Sequence, residues 1–247
     1  MDITVGAATV GQKGKPEEAY VVAAKSRGDD RGSIDIVPAD TPGLLERVYR
    51  LRYDVYCVAN QFEDRAHQIA GYEQDKYDQY SVHSLLMDSE SGAELGTVRL
   101  ILPNDEVSLP TLQVSPTVAE AAGLLFPQAT TAEASRFLRA VDVSGSASGQ
   151  RESARETLAL MTAIVQMCAS QGMTHVLALV TKPMLRFLNR FALAFKPIGE
   201  PVEFHGLRYA AILDLTTDLS VVAAERPDVW RTLTADGLYY NSLHPDL

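Results

Sequence analysis

The apolar residues of the first half of the chain predict a strand and then a helix. Ile34, Ile36 and Val37 favour a short strand. Residues 43–58 then carry apolar positions at steps of four, three and four, which is the spacing of one helix face: Leu44, Val48, Leu51 and Val55. Arg52 falls at the edge of that face, where a guanidinium needs a carboxylate partner to offset its desolvation.

Beyond residue 80 the pattern becomes that of strands. Residues 82–87 and 94–102 predict a hairpin, and a third strand is expected over 132–141. The apolar run over 176–180 is typical of a fully buried, parallel strand. Residues 103–131 show scattered prolines and no readable period, so we expect a long connection there.

Helices are expected in the second half as well. A strong apolar repeat predicts a helix over 152–170, and Pro183 opens another that runs through Phe191. Two strands over 202–204 and 208–215 complete the pattern. The order of elements predicts an α/β fold, with a mixed central sheet and helices on both faces.

Composition fits one globular domain with extensions at both ends. The chain has 247 residues, 46% of them hydrophobic, and a net charge of −10. We expect a mobile leader over 1–32, a catalytic domain over 33–217, and a helical extension over 218–247 packed on that domain. The negative charge argues against nucleic acid as a main partner.

Several other classes of protein are disfavoured. The start of the chain lacks the features of a secretory signal, and no stretch approaches the roughly 20 apolar residues that span a bilayer, so a cytoplasmic location without a transmembrane segment is expected. Cys57 and Cys168 fit reduced, buried thiols. The five histidines lack the spacing of a zinc site, so no metal is predicted.

Five short motifs follow one another in the chain: Leu51-Arg-Tyr-Asp-Val-Tyr-Cys57, Phe62-Glu63, Glu73-Gln-Asp-Lys-Tyr-Asp78, Gly96-Thr-Val-Arg-Leu100 and Glu133-Ala-Ser-Arg136. Together they resemble the autoinducer-synthase-like branch of the GNAT-fold acyltransferases, over roughly residues 44–215. This branch includes acyl-homoserine-lactone synthases, N-acyl amino acid synthases and the acyltransferases of PEP-CTERM/exosortase systems. The third group looks closest.

The resemblance implies a GNAT fold and an N-acyltransferase activity. The donor would be a long-chain acyl thioester on the phosphopantetheine arm of an acyl carrier protein, with CoA as the weaker choice. The acceptor would be a small amine, with an amino acid favoured, and no cofactor would be bound permanently. Two alternatives stay open: an acyl-homoserine-lactone synthase that uses S-adenosylmethionine, and a non-catalytic module that binds an acyl carrier. Oligomeric state is not readable from the sequence.

Two residues of the last motif are the catalytic candidates. The resemblance implies an essential glutamate at Glu133, and a carboxylate suits the task of accepting the amine proton. Arg136 follows three residues later, so the two side chains of a regular strand would point to opposite faces and could share a site only across a bulge. Otherwise Glu133 serves the acceptor while Arg136 braces the fold or the carrier. A Glu–Arg pair that merely ties strand to helix is the structural alternative.

The resemblance also implies a charged cluster that shapes the acceptor pocket, formed by Arg52, Asp75, Asp78 and Arg99. A role in holding the fold and a role in binding the acceptor fit this cluster equally, and Arg52 or Arg99 could bind an acceptor carboxylate. Tyr56 and Phe62 match aromatic positions of the family and are candidates for the pocket walls, although core packing explains them nearly as well. The connection over 103–131 would wall the pocket for the acyl tail, where Leu124, Leu125 and Phe126 fit a lining role and a core role equally.

The phosphopantetheine arm would meet a Gly-Ser-rich segment and the helix after it, through Gly145, Ser146, Gly149, Arg151 and Arg155. CoA-dependent relatives place Gln or Arg where this chain has Asp142, which favours a carrier arm with one phosphate over CoA. Residues 136–208 contain nine Lys and Arg against five Asp and Glu, a balance of +4 that suits the docking of an acidic carrier.

Overall fold

The computed structural model describes residues 6–7, 20–21, 33–59, 71–140 and 147–243. Most of the predicted leader lies outside the described residues, and so do Phe62, Gly145 and Ser146. The described leader residues form two short antiparallel strands, β1 (Gly6–Ala7) and β2 (Tyr20–Val21). The predicted division into leader, catalytic domain and extension stays a prediction.

The chain forms two compact units, which share several strands and one helix. The first unit contains residues 1–74, 83–98 and 136–163, and the second contains residues 75–82, 99–135 and 164–247. The strands named below as β4, β5 and β6 and the helix α4 therefore have residues in both units.

In the first unit the strands lie in the order β3, β4, β5 and β6. Their bounds are Ile34–Pro38 for β3, Ser81–Asp88 for β4, Glu94–Ile101 for β5 and Thr131–Arg139 for β6. Strands β3 and β4 are antiparallel, with Ile36 opposite Leu86. The hairpin and the third strand that the sequence predicts are confirmed.

Helix α1 (Pro42–Tyr53) carries the first predicted helical pattern. Thr41 caps it by accepting the Leu44 N–H at 3.4 Å, and Pro42 occupies the first turn, where its missing N–H is not needed. Val48 and Arg52 are buried one turn apart on the same face. The expected helix continues to residue 59 as a π-helical turn, Asp54–Ala59.

In the second unit the strands lie in the order β5, β6, β7, β10 and β8. Strand β7 (His175–Val180) pairs parallel with β6, as its apolar composition predicts, and antiparallel with β10 (Leu207–Asp214). The short strands β8 (Lys196–Pro197) and β9 (Val202–Glu203) both pair with β10. The sequence patterns did not reveal β8, because two exposed residues carry no period.

The predicted long connection over 103–131 contains two short helices that the sequence patterns did not reveal. Helix α2 (Pro110–Val114) and helix α3 (Pro116–Leu125) each begin with a proline in the first turn. Phe126 is buried in an apolar cluster with the residue that precedes α2, two residues of α3 and residues of the sheet: Ile101, Leu109, Val118, Ala122, Leu177, Ala210 and Ile212. Leu124, by contrast, is 94% exposed, which does not fit the wall of a tail pocket.

The remaining helices extend the predicted pattern. Helix α4 (Ala147–Gln171) starts five residues before its expected start at residue 152, and α5 (Lys182–Asn189) follows β7. Three helices end the described part of the chain: α6 (Leu215–Glu225), α7 (Pro227–Thr234) and α8 (Leu238–Leu243). The predicted mixed α/β class is confirmed. None of the helices in the described ranges is long and apolar enough to cross a membrane.

Candidate active site

Glu133 is a buried carboxylate in the middle of strand β6. It lies opposite Leu177 of the parallel strand β7, and it is 1% exposed. One carboxylate oxygen accepts the backbone N–H of Thr111 at 2.9 Å. Burial raises the pKa of Glu133 to about 7, against the smaller lowering effects of Thr111 and of the Arg99 charge. This carboxyl can therefore accept or release a proton near neutral pH.

Arg99 of strand β5 is held by two carboxylates of its own unit. Its Nη1 lies 2.6 Å from Asp75 Oδ1 and 3.0 Å from Asp78 Oδ1, and its Nε donates to Ser135 Oγ at 2.9 Å. The guanidinium also lies 5.6 Å from the centre of the Tyr77 ring. The predicted contact of Arg99 with Asp75 and Asp78 is thus present in the structure.

The two aspartates are themselves fixed in place by backbone groups. Asp78 accepts the backbone N–H of Asp75 at 2.7 Å, and Asp75 accepts the backbone N–H of Tyr77 at 2.8 Å. In a turn of this kind, carboxylates accept hydrogen bonds from neighbouring N–H groups. These bonds hold the two aspartates in the orientation in which they contact Arg99. Residues 75–78 therefore form an acidic turn whose carboxylates are held by backbone N–H groups.

In the first unit, Glu73 bridges two arginines. Arg52 Nε donates to Glu73 Oε2, and Arg136 Nη2 lies 2.7 Å from Glu73 Oε1. The side chains of Arg52 and Glu73 are fully buried, while that of Arg136 is 16% exposed. Burial alone would raise the pKa of Glu73, but the hydrogen bonds and charges of Arg136 and Arg52 outweigh it and hold the pKa below its ordinary value.

Glu73 was not among the candidate residues selected from the sequence. The resemblance implies a cluster of Arg52 with Asp75, Asp78 and Arg99, and in the structure Arg52 donates a hydrogen bond to Glu73. A signal was available, because a buried guanidinium requires a carboxylate and Glu73 begins the acidic motif. Thr111 and Ser135 were also missed, since neither carries a sequence pattern that marks it as the hydrogen-bond partner of a charged residue.

Arg136 interrupts the regular conformation of strand β6. Its φ angle of 47° lies in the left-handed region, which non-glycine residues rarely adopt. Its guanidinium carbon lies 5.1 Å from the centre of the Tyr56 ring, so Tyr56 covers an arginine. Arg136 binds Glu73, whereas Glu133 binds Thr111. These separate partners favour the alternative in which the two residues have different roles.

The predicted phosphopantetheine segment is only partly described. Because α4 begins at Ala147, Gly149 lies in the first helical turn instead of in a loop before the helix. Arg151 lies in the same helix, and Arg155 lies one turn further on and is half-buried. No contact in the structure tests whether these residues bind a phosphate, so this role stays a prediction.

Exposed positive charge is concentrated on helix α5. The side chains of Lys182, Arg186 and Arg190 are exposed, and the structure shows no ion pair for them among the described residues. Two other charges of the basic segment are paired: Arg139 Nη1 lies 3.2 Å from Glu156, and Lys196 Nζ lies 2.8 Å from Asp218. Helix α5 therefore presents a cluster of exposed basic residues on the second unit.

Comparison with known proteins gives one family and a consistent fold. The family model described as autoinducer synthase matches residues 41–221. The acyl-homoserine-lactone synthase LasI has a TM-score of 0.59 and 17% identity, with 77% of this chain and 94% of LasI covered. BjaI, a CoA-dependent acyl-homoserine lactone synthase solved with SAM and isopentyl-CoA, has a TM-score of 0.57 and 24% identity, with 76% of this chain and 86% of BjaI covered.

A third solved structure is FeeM, an N-acyl amino acid synthase from uncultured soil microbes. It has a TM-score of 0.50 and 16% identity, with 76% of this chain and 94% of FeeM covered. At these identities the likeness shows a shared fold, and the predicted GNAT fold is confirmed. No curated protein sequence matches the chain significantly.

Proposed function

The chain belongs to the autoinducer synthase family, and we propose that it moves a long-chain acyl group from an acyl carrier protein thioester to the amine of an amino acid. Membership of this family makes the protein an acyltransferase. The nature of the donor and of the acceptor is the proposed part. The observation that carries the proposal is the buried Glu133 carboxyl with its pKa of about 7.

Glu133 fits the chemical need of the reaction. An amine attacks a thioester only as the neutral base, and a group that accepts its proton works best when its pKa lies near the working pH. In the proposed step the amine nitrogen forms a bond to the acyl carbon, the carbon–sulfur bond breaks, and the thiolate leaves. The amine proton passes to Glu133, directly or through one water.

Transfer is proposed to be direct, without an acyl-enzyme. An acyl-enzyme requires an activated nucleophile such as a thiolate. Cys57 and Cys168 are both buried, and burial raises the pKa of the Cys168 thiol far above its ordinary value. In the part of the chain that the structure describes, neither cysteine suits that role.

The carrier protein is supported as donor by charge. Acyl carrier proteins are acidic, and helix α5 presents Lys182, Arg186 and Arg190 to solvent on a chain whose net charge is −10. Asp142, at the position where CoA-dependent relatives have Gln or Arg, disfavours the additional phosphates of CoA. Both arguments favour a carrier arm over CoA as the donor.

The motifs support an amino acid as the acceptor, but the ion pairs of the structure do not favour Arg52 or Arg99 as the group that binds its carboxylate. Arg52 and Arg99 are both buried and engaged by carboxylates of the protein itself, so the role of holding the fold suits them better than that of binding an acceptor carboxylate. The amino acid acceptor therefore rests on the resemblance of the five motifs. The cytoplasmic location and the association with PEP-CTERM systems stay predictions from the sequence.

A second candidate function is an acyl-homoserine-lactone synthase. The family match favours it, and BjaI, which shares the fold, was solved with SAM. In this case the α-amine of S-adenosylmethionine would take the place of the amino acid, and the same Glu133 would accept its proton. The two functions differ in the product, which is an acyl lactone in one case and an acyl amino acid in the other.

Mass spectrometry of products separates these functions. The purified protein is incubated with palmitoyl acyl carrier protein or palmitoyl-CoA, and with a mixture of amino acids or S-adenosylmethionine. An N-acyl amino acid that forms faster from the carrier thioester supports the proposal. An acyl lactone supports the second candidate. Carrier binding without any product, across a range of acyl chain lengths, would support a non-catalytic module instead.

A further inference from the structure

Thr111 lies beside Glu133 with a hydroxyl whose role the fold does not explain. It is the second residue of α2 and is fully buried. Its backbone N–H donates to the Glu133 carboxylate at 2.9 Å. Its hydroxyl oxygen, also buried, makes no hydrogen bond of ordinary geometry within the described ranges. Buried hydroxyls in native structures usually have a partner.

Among the described residues, Thr111 is the one that donates a hydrogen bond to Glu133. Arg99, from β5, acts on Glu133 through its charge, but its hydrogen bonds go to Asp75, Asp78 and Ser135. Tyr77, from the acidic turn, is the other titratable neighbour. From β7, the residue opposite Glu133 is the apolar Leu177.

The position of α2 is fixed by contacts on its other side chains. Lys76 Nζ lies 3.2 Å from Gln113 Oε1, and Gln113 Nε2 donates to the carbonyl of Ser108 at 2.8 Å. Ser115 N–H donates to the carbonyl of Thr111 at 3.0 Å. These bonds hold the Thr111 backbone in place. The side chain of Thr111 is then the part of this residue that can change its rotamer next to the carboxyl.

We infer that Thr111 is a positioning residue for Glu133, and that its hydroxyl donates a hydrogen bond to the ionised carboxylate in addition to the bond from its backbone N–H. The inference rests on the proposed role of Glu133 as the proton acceptor. A hydroxyl can both donate and accept. When Glu133 takes the amine proton, its new O–H can donate to the same threonine oxygen, so both charge states keep a hydrogen-bond partner at this buried position.

The first test is a titration of Glu133 that requires no substrate. The carbon-13 carboxyl signal of Glu133 is identified by its absence in Glu133→Gln, and its titration midpoint is measured in the wild type and in Thr111→Val. Valine keeps the shape and the backbone N–H but removes the hydroxyl. Hydrogen bonds to charged groups are the stronger ones, so the midpoint should rise by about one pH unit. An unchanged or lowered midpoint overturns the inference.

A matched control is Thr157→Val in α4. Thr157 is also a buried threonine, but its hydroxyl donates to the carbonyl of Ser153 at 2.7 Å. This variant should leave the Glu133 midpoint unchanged. If Thr111→Val does not fold, Thr111→Ser and Thr111→Ala are compared instead, because serine keeps the hydroxyl and alanine removes it. Equal midpoints in serine and alanine would then overturn the inference.

Turnover gives an independent readout. The acid limb of the kcat profile should move upward with the NMR midpoint in Thr111→Val and should return in Thr111→Ser. A purely structural role would lower the folded fraction without moving that limb. Because the titration is independent of turnover, a protein that fails to transfer acyl groups while Thr111→Val still shifts Glu133 would contradict the proposed function and leave the contact between the two residues established.

Discussion

Glu73 and Arg136 are 63 positions apart in sequence, yet their side chains meet at 2.7 Å. The pair joins the acidic motif to the end of strand β6 within the first unit, and Arg52 of α1 binds the same carboxylate. Glu73 N–H also donates to the carbonyl of Tyr49 in α1. One glutamate therefore fixes three segments, and it supports Arg136 in its left-handed backbone conformation.

Replacing Glu73 by Gln should destabilise the protein strongly. The change removes the carboxylate charge that pairs with the fully buried Arg52, and breaking a buried ion pair from one side costs about 3–5 kcal/mol. Urea unfolding at pH 7 measures this loss. Glu94→Gln is the matched control, because the Arg47–Glu94 pair is about one-third exposed and should contribute less than about 1 kcal/mol. Equal losses in the two variants would contradict the bridging role of Glu73.

Glu133 should make stability depend on pH in an unusual direction. Its pKa rises from 4.5 to about 7 on folding, so the folded protein binds a proton more tightly than the unfolded chain. Its contribution is fully present below pH 4.5 and is lost as the pH rises towards 7. Relative to Glu133→Gln, the wild type should therefore lose up to about 3 kcal/mol over this range.

Urea unfolding of the two proteins at several pH values between 4 and 8 checks this prediction. The comparison of variants removes the contributions of other groups, including Glu73, whose lowered pKa gives a loss of stability on acidification in both proteins. A difference between wild type and Glu133→Gln that stays constant over the range would show that the carboxyl has an ordinary pKa.

The basic surface of α5 should control the use of a carrier protein. Reversing the charge at Arg186 and Arg190 should slow transfer from an acyl carrier protein by about tenfold or more at low salt, because the docking of the acidic partner is weakened. Transfer from an acyl-CoA or a short acyl-pantetheine should change little. The measurement is kcat/KM for each donor at two salt concentrations.

Arg231→Glu provides the control for this charge reversal. Arg231 is likewise exposed on a helix of the second unit, α7, so its reversal changes the net charge without changing α5. Equal losses at Arg231 and at α5 would indicate a general charge effect, and undiminished transfer from the carrier in the α5 variant would exclude this helix as the docking surface.

The sequence predicted the sheet better than the connections. Alternating and fully apolar runs identified β4, β5 and β7, since burial on one or two faces leaves a direct record in residue type. Helices α2 and α3 were missed because five and ten residues are too few for a clear helical period, and the prolines of this segment were noted only as scattered along a connection. In the structure those prolines begin the helices.

The sequence predicted which residues belong to the site better than it predicted which of them contact one another. The motifs identified Arg52, Asp75, Asp78 and Arg99 as charged partners, and the structure confirms the contacts of Arg99 with both aspartates. Which carboxylate meets Arg52 depends on the path of the intervening chain, which the sequence does not reveal. The contact of Thr111 with Glu133 was likewise unpredictable, because it follows from helix α2.

The most direct test of the account is the rate of acyl transfer by Glu133→Gln, measured against the wild type with the same thioester and amine. Glutamine keeps the size of the side chain and can still accept the Thr111 N–H, but it cannot take a proton from the amine. The account predicts that kcat falls by about 100-fold or more while carrier binding is unchanged. A variant that retains the wild-type kcat would contradict the assignment of Glu133 as the base.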